Sequence, residues 1–139
     1  MLLLLYPLSH LIFASVLNHG WITVLDNFIG IPNYNLFRHD RNKQGGGICV
    51  WVHSSYRPQL LKINPPAGIN AIWIILPSIK FVIAGCYVPP VISIQLNNEI
   101  IDFIVNTSDR ILNQYDSYSI MVGGVLNQLD TASKHLCAS

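Results

Sequence analysis

Charge is scarce in this chain. Only 11% of its 139 residues are Asp, Glu, Lys or Arg, against about 25% in an average soluble domain. Carboxylates are thinner still, since Glu99 is the single glutamate and no carboxylate precedes Asp26. Chemistry that needs clustered carboxylates, as metal holders or as bases, starts short of material. Eight basic against seven acidic residues leave a net charge of +1, so the basic footprint of a nucleic-acid binder is missing. Cysteine is sparse as well. Cys49, Cys86 and Cys137 are odd in number and widely spaced, which fits neither a disulfide framework nor a zinc pair. Cys49 and Cys86 sit within apolar runs as small hydrophobes, and a reducing, intracellular setting is expected.

Apolar material is what the chain has in plenty. Hydrophobic residues make up 51% of it, which excludes disorder, and the length suits one domain, 1–139, burying about 68–70% of its unfolded surface. With so few charges, either several elements are buried on both faces or a covering piece is absent. Met1–Leu17 is nearly all apolar, yet no basic segment precedes Leu2–Leu5, and Pro7 and His10 interrupt the run. It is shorter than the roughly 20 residues of a membrane span and lacks the charged start of a secretory signal. It is expected to enter the core as a helix and a strand, with Leu11–Val16 as the strand.

Further along, Tyr34–Phe37 reads as a short extended piece. Residues 38–44 read as a solvated loop ending in Gly45-Gly46-Gly47. Ile48–Val52 is a strand, rich in β-branched and aromatic residues. Leu60–Ile63 suggests an edge strand and Pro65-Pro66-Ala67-Gly68 a turn. Ala71–Leu76 and Phe81–Tyr87 form two strands of a hairpin through Pro77-Ser78, and their lack of alternation predicts burial on both faces. Ser93 caps a helix to about Tyr115, with Ile94, Ile101, Ile104, Val105, Ile111 and Leu112 at helical spacing. Ser119–Val122 is a last core strand before a loop opening at Gly123-Gly124. The fold class expected is mixed α/β.

Three segments, in order, carry more than any one alone. They are Ile31–Arg41 followed by the triple glycine and its strand, then Gly85-Cys86-Tyr87-Val88-Pro89-Pro90, then Met121-Val122-Gly123-Gly124-Val125-Leu126-Asn127-Gln128-Leu129-Asp130. From about Trp21 to Asp130 the series resembles the endonuclease/exonuclease/phosphatase superfamily, in the branch that non-LTR retrotransposons carry beside a reverse transcriptase. The resemblance implies a layered α/β sandwich of mixed sheets with flanking helices, Mg²⁺-dependent hydrolysis of phosphodiesters, and DNA as partner. A hard cation of that kind takes one or two carboxylates, with water and phosphate oxygens completing an octahedron. It polarises the phosphoryl oxygen while a base takes a proton from water.

Tyr87 matches the family's tyrosine before Pro-Pro, where a phenol reaches toward phosphate; alternatively it is an aromatic strand end packed under the helix. Asn127 matches the asparagine of Gly-Asp-x-Asn, or else is a turn residue bonded to its own backbone. The aspartate of that motif is replaced by Val125, which can neither ligand a metal nor accept a proton. His19 stands where the family's early glutamate belongs, and the family's Ser-Asp-His motif is matched by nothing up to Ser139. His135 follows Ser133-Lys134 and reads as a terminal residue, while Asp130 reads as a turn or cap. Arg38 and Arg41 are candidate phosphate contacts that position without reading sequence, or they pair with Asp40 across the loop. Gly45–Gly47 is no phosphate loop, because no Lys-Ser or Lys-Thr follows.

The sequence therefore leads to an incomplete, catalytically inactive remnant of a retrotransposon-type endonuclease, with no metal ligand set as written. An active nuclease or phosphatase fragment completed by further sequence or a partner stands as the alternative. A non-catalytic binding module is the more distant one.

Overall fold

A computed structural model describes residues 2–4, 11–15, 30–40, 47–88 and 92–126. Eight strands and one long helix are found there: β1 (Leu2–Leu4), β2 (Leu11–Ser15), β3 (Tyr34–Asp40), β4 (Gly47–His53), β5 (Gln59–Leu61), β6 (Asn70–Leu76), β7 (Phe81–Val88), α1 (Ile94–Gln114) and β8 (Ser119–Leu126). They form two four-stranded sheets, ordered β1-β2-β4-β3 and β5-β6-β7-β8. The first is antiparallel throughout. The second is mixed, because α1 carries the chain back so that β8 lies parallel to β7, the kind of pairing that requires a crossover.

Alternation on β6 and β7 builds two cores. Ile72, Ile74, Leu76, Ile83 and Tyr87 meet Ile48, Val50 and Val52 of the first sheet. Ala71, Trp73, Ile75, Val82, Ala84, Cys86 and Val88 meet Ile100, Ile104 and Ile111 of α1. The layers are therefore sheet, sheet and helix. Every residue of β6 is buried, as is all of β7 after Phe81, which is why neither strand alternates in hydropathy. Ser93 caps α1 by accepting the Leu96 amide through its Oγ at 3.0 Å, one of the orphan donors of a helix start. No described helix is long and apolar enough to cross a membrane.

Four expectations are corrected. Leu2–Leu4 is a strand paired with β2, where a helix was expected to begin the chain. Arg38, His39 and Asp40 continue β3, paired with Cys49, Ile48 and Gly47, so the polar segment starts as an edge strand rather than a loop. The edge strand expected at Leu60–Ile63 lies at Gln59–Leu61. The last strand runs through Gly123-Gly124 to Leu126, and among the described residues it is an edge strand, with Val122 exposed, not a core one.

Trp73 is the largest fully buried side chain among the described residues; it packs edge-on to Phe103, ring centroids 6.4 Å apart. Its indole Nε1 has no hydrogen-bond partner among the described residues. Trp73→Ala is expected to destabilise the domain by about 3–5 kcal/mol through the cavity it leaves, measured by urea unfolding. Trp73→Phe should cost clearly less, because no hydrogen bond of the indole is lost. Equal losses in the two variants would refute this account of the core.

Candidate functional site

Strand register brings two of the nominated positions side by side. Tyr87 is the Cα partner of Val125 on parallel β8 and of Asn70 on antiparallel β6. The three form one row across the sheet, with neighbours about 4.8 Å apart along the hydrogen-bonding direction. The row lies at the C-terminal ends of β7 and β8, where α/β sheets commonly place ligands. Asn127 comes one residue after β8 and lies outside the described residues, as do Arg41, His19, Asp130 and His135.

Gly124 sets how the row is reached. Its φ is +139°, in the region that favours glycine, and a Cβ built there would overlap the carbonyl oxygen of Cys86, its register partner. The glycine pair that reads as a loop in sequence is thus a place where two strand backbones come too close for a side chain.

Tyr87 is 4% exposed and belongs to the cluster between the sheets. This corrects the alternative that it packs under the helix: α1 covers the opposite face, with Cys86 and Val88. Glu99 is on that far side too, exposed and accepting from Gln95 Nε2 at 3.1 Å. Arg38 pairs with Cys49, which alternates with the inter-sheet residues Ile48 and Val50, so it lies on the outer face of the first sheet. It does not join Tyr87.

The two sheets are aligned end to end. Ser78, between β6 and β7, donates its hydroxyl to the Tyr56 carbonyl just after β4 at 2.9 Å, tying the far end of β4 to the far end of β6. The opposite ends must then coincide. Asn70, Tyr87 and Val125 on one sheet therefore share an end with His39 and Ile48, and with Ser15 of β2. Sequence reasoning missed Asn70, which stands just before the strand read at Ala71–Leu76 and is 8% exposed, and His39, which fell within the loop read at residues 38–44. Asparagine before an unbroken apolar strand was the available signal for the first; the second had none.

Tyr87 has asparagine and valine as register neighbours, and no group of three or more His, Cys, Asp or Glu residues that could hold a metal ion exists among the described residues. Cys86 beside Tyr87 is buried and in no disulfide, and burial pushes its thiol up to about 12. It is not a nucleophile at neutral pH. No family model, curated protein or solved structure matches this chain.

Gly124→Ala is expected to lose about 1–3 kcal/mol or more from backbone strain, seen as a lower urea midpoint; an unchanged midpoint would show that β8 does not approach β7 as described. Cys86 also gives a pH test. Its native pKa lies above the usual value near 9, so the native thiol keeps its proton where the unfolded one has lost it. Stability from this source is complete below pH 9 and declines toward pH 12, with a slope up to about 1.4 kcal/mol per pH unit. Alkaline unfolding of Cys86→Ala should lack that component, and identical pH profiles of variant and wild type would contradict the assignment.

Proposed function

We propose that this chain is a remnant of a metal-dependent phosphodiesterase domain of the endonuclease/exonuclease/phosphatase type, of the retrotransposon branch, and that it does not catalyse hydrolysis. Two sheets stacked face to face with a helix outside them are compatible with such a sandwich. The observation that carries the reading is the register of Tyr87 with Val125. Two motifs separated by the whole of α1 fall side by side at one strand end, the convergence that a shared site in the family requires.

The same pair argues against turnover. Valine occupies the position of the motif's aspartate, so a charged oxygen that would face metal and phosphate is gone. What remains are groups that can hold or orient: a phenol and an amide, neither a base at neutral pH. DNA as the ancestral substrate and Mg²⁺ as its ion belong to this reading.

Purified protein is expected to leave supercoiled plasmid intact in Mg²⁺ or Mn²⁺. Val125→Asp is expected to raise Mn²⁺ affinity measurably by titration calorimetry, because it adds one charged oxygen ligand, while still failing to nick plasmid. Nicking that follows the wild-type protein through purification and stops with chelator would sink the inactive reading. A Val125→Asp variant that folds but gains no metal affinity would sink the placement of the site.

A further inference from the structure

A groove of about 600 Å³ lies between α1 and the segment that joins β5 to β6. Glu99, Asp102, Phe103, Asn106 and Arg110 form its α1 wall, spaced by threes and fours so that they share one side of the helix. Asn64 and Pro66 stand opposite. The groove shares no residue with the row of Asn70, Tyr87 and Val125.

Charge is divided along its length. Glu99 and Asp102 lie toward the start of α1 and Arg110 toward its end. At 1.5 Å per residue Arg110 is about 12 Å from Asp102 and about 16 Å from Glu99 along the axis. Glu99 accepts from the neutral Gln95 amide at 3.1 Å, which leaves its charge uncompensated. The Arg110 side chain has no hydrogen-bond or ion-pair partner among the described residues. Between the two ends Phe103 is half-buried, held edge-on against Trp73, and with Pro66 it supplies apolar surface. Asn64 and Asn106 bring exposed amides from opposite walls, neither bonded to another described residue. A primary amide has both a donor and an acceptor, the complement of a peptide group. A nucleic-acid strand is disfavoured here, because the carboxylates would repel its phosphates.

We propose that this groove binds an extended peptide segment of a partner protein. A basic side chain of the segment sits at Glu99 and Asp102, an apolar one against Phe103 and Pro66, and an acidic one at Arg110. An extended chain rises about 3.3 Å per residue and turns every second side chain to one face. Positions i, i+2 and i+4 then span about 13 Å, which matches the separation of the charges on α1. Asn64 and Asn106 pair with main-chain groups of the segment. The partner's pattern is therefore basic, apolar and acidic at alternate positions.

The test is fluorescence polarisation of the full chain with two labelled peptides, Gly-Lys-Thr-Leu-Thr-Glu-Gly and Gly-Glu-Thr-Leu-Thr-Lys-Gly, because the groove admits either chain direction. Saturable binding of at least one is expected, weakened by added salt. Arg110→Glu should lower that affinity about tenfold or more and should favour the same peptide with lysine in place of its glutamate. Asn106→Ala should weaken binding severalfold. Both residues are exposed helix positions, melting curves check that the variants fold, and the gain of the lysine peptide is a result that an unfolded variant cannot give. No binding of either peptide would overturn the proposal. So would binding that Arg110→Glu leaves unchanged, or equal binding of a scrambled peptide with its two charges adjacent. None of these outcomes bears on Tyr87 and Val125, whose metal titration uses other residues.

Discussion

Strands β6 and β7 are buried on both faces, and nearly everything else in the domain is placed by that fact. One face of the pair receives the first sheet through Ile48, Val50 and Val52; the other receives α1 through Ile100, Ile104 and Ile111. A strand pair in that position can spare no surface for charge, since an unpaired buried charge is strongly unfavourable. The low charge content of the chain follows from this arrangement. So does the concentration of polar groups at the strand ends, the part of a doubly covered sheet where a polar side chain can still meet water or a ligand.

Those ends are where the candidate site lies. Asn70, Tyr87 and Val125 occupy one register row, and His39 reaches the same end from the other sheet. The row is held by main-chain pairing, so a change of side chain at any of its positions leaves the backbone geometry in place.

How much of this was legible in sequence depended on what each segment buries. The β6–β7 hairpin, β4 and α1 were readable, because unbroken β-branched runs and a helical repeat leave little choice of structure. Arg38–Asp40 was not. Its charges look like a loop, but a strand paired on one side, as β3 is among the described residues, tolerates polar residues. Gly123-Gly124 misled for the opposite reason: glycine usually ends a strand, whereas here the bare backbone lets β8 continue against Cys86. The side-by-side placement of Tyr87 and Val125 was expected from the resemblance, while the parallel register that produces it is a tertiary fact. His39 and Asn70 had no motif to mark them.

The crossover through α1 has a consequence for the order of assembly. Strands β6 and β7 are joined by the short turn Pro77–Lys80, closed by the Lys80 amide on the Pro77 carbonyl at 3.3 Å, and contacts so local form early. Strand β8 can dock only after a segment of about thirty residues has been folded back, and closing so long a loop slows the step. Tyr87 is then in place before Val125 arrives beside it. A nascent chain emerging in order would carry the tyrosine half of the row, exposed and incomplete, until the last strand closes it, so the row is a late product of folding and among the first things lost when β8 frays.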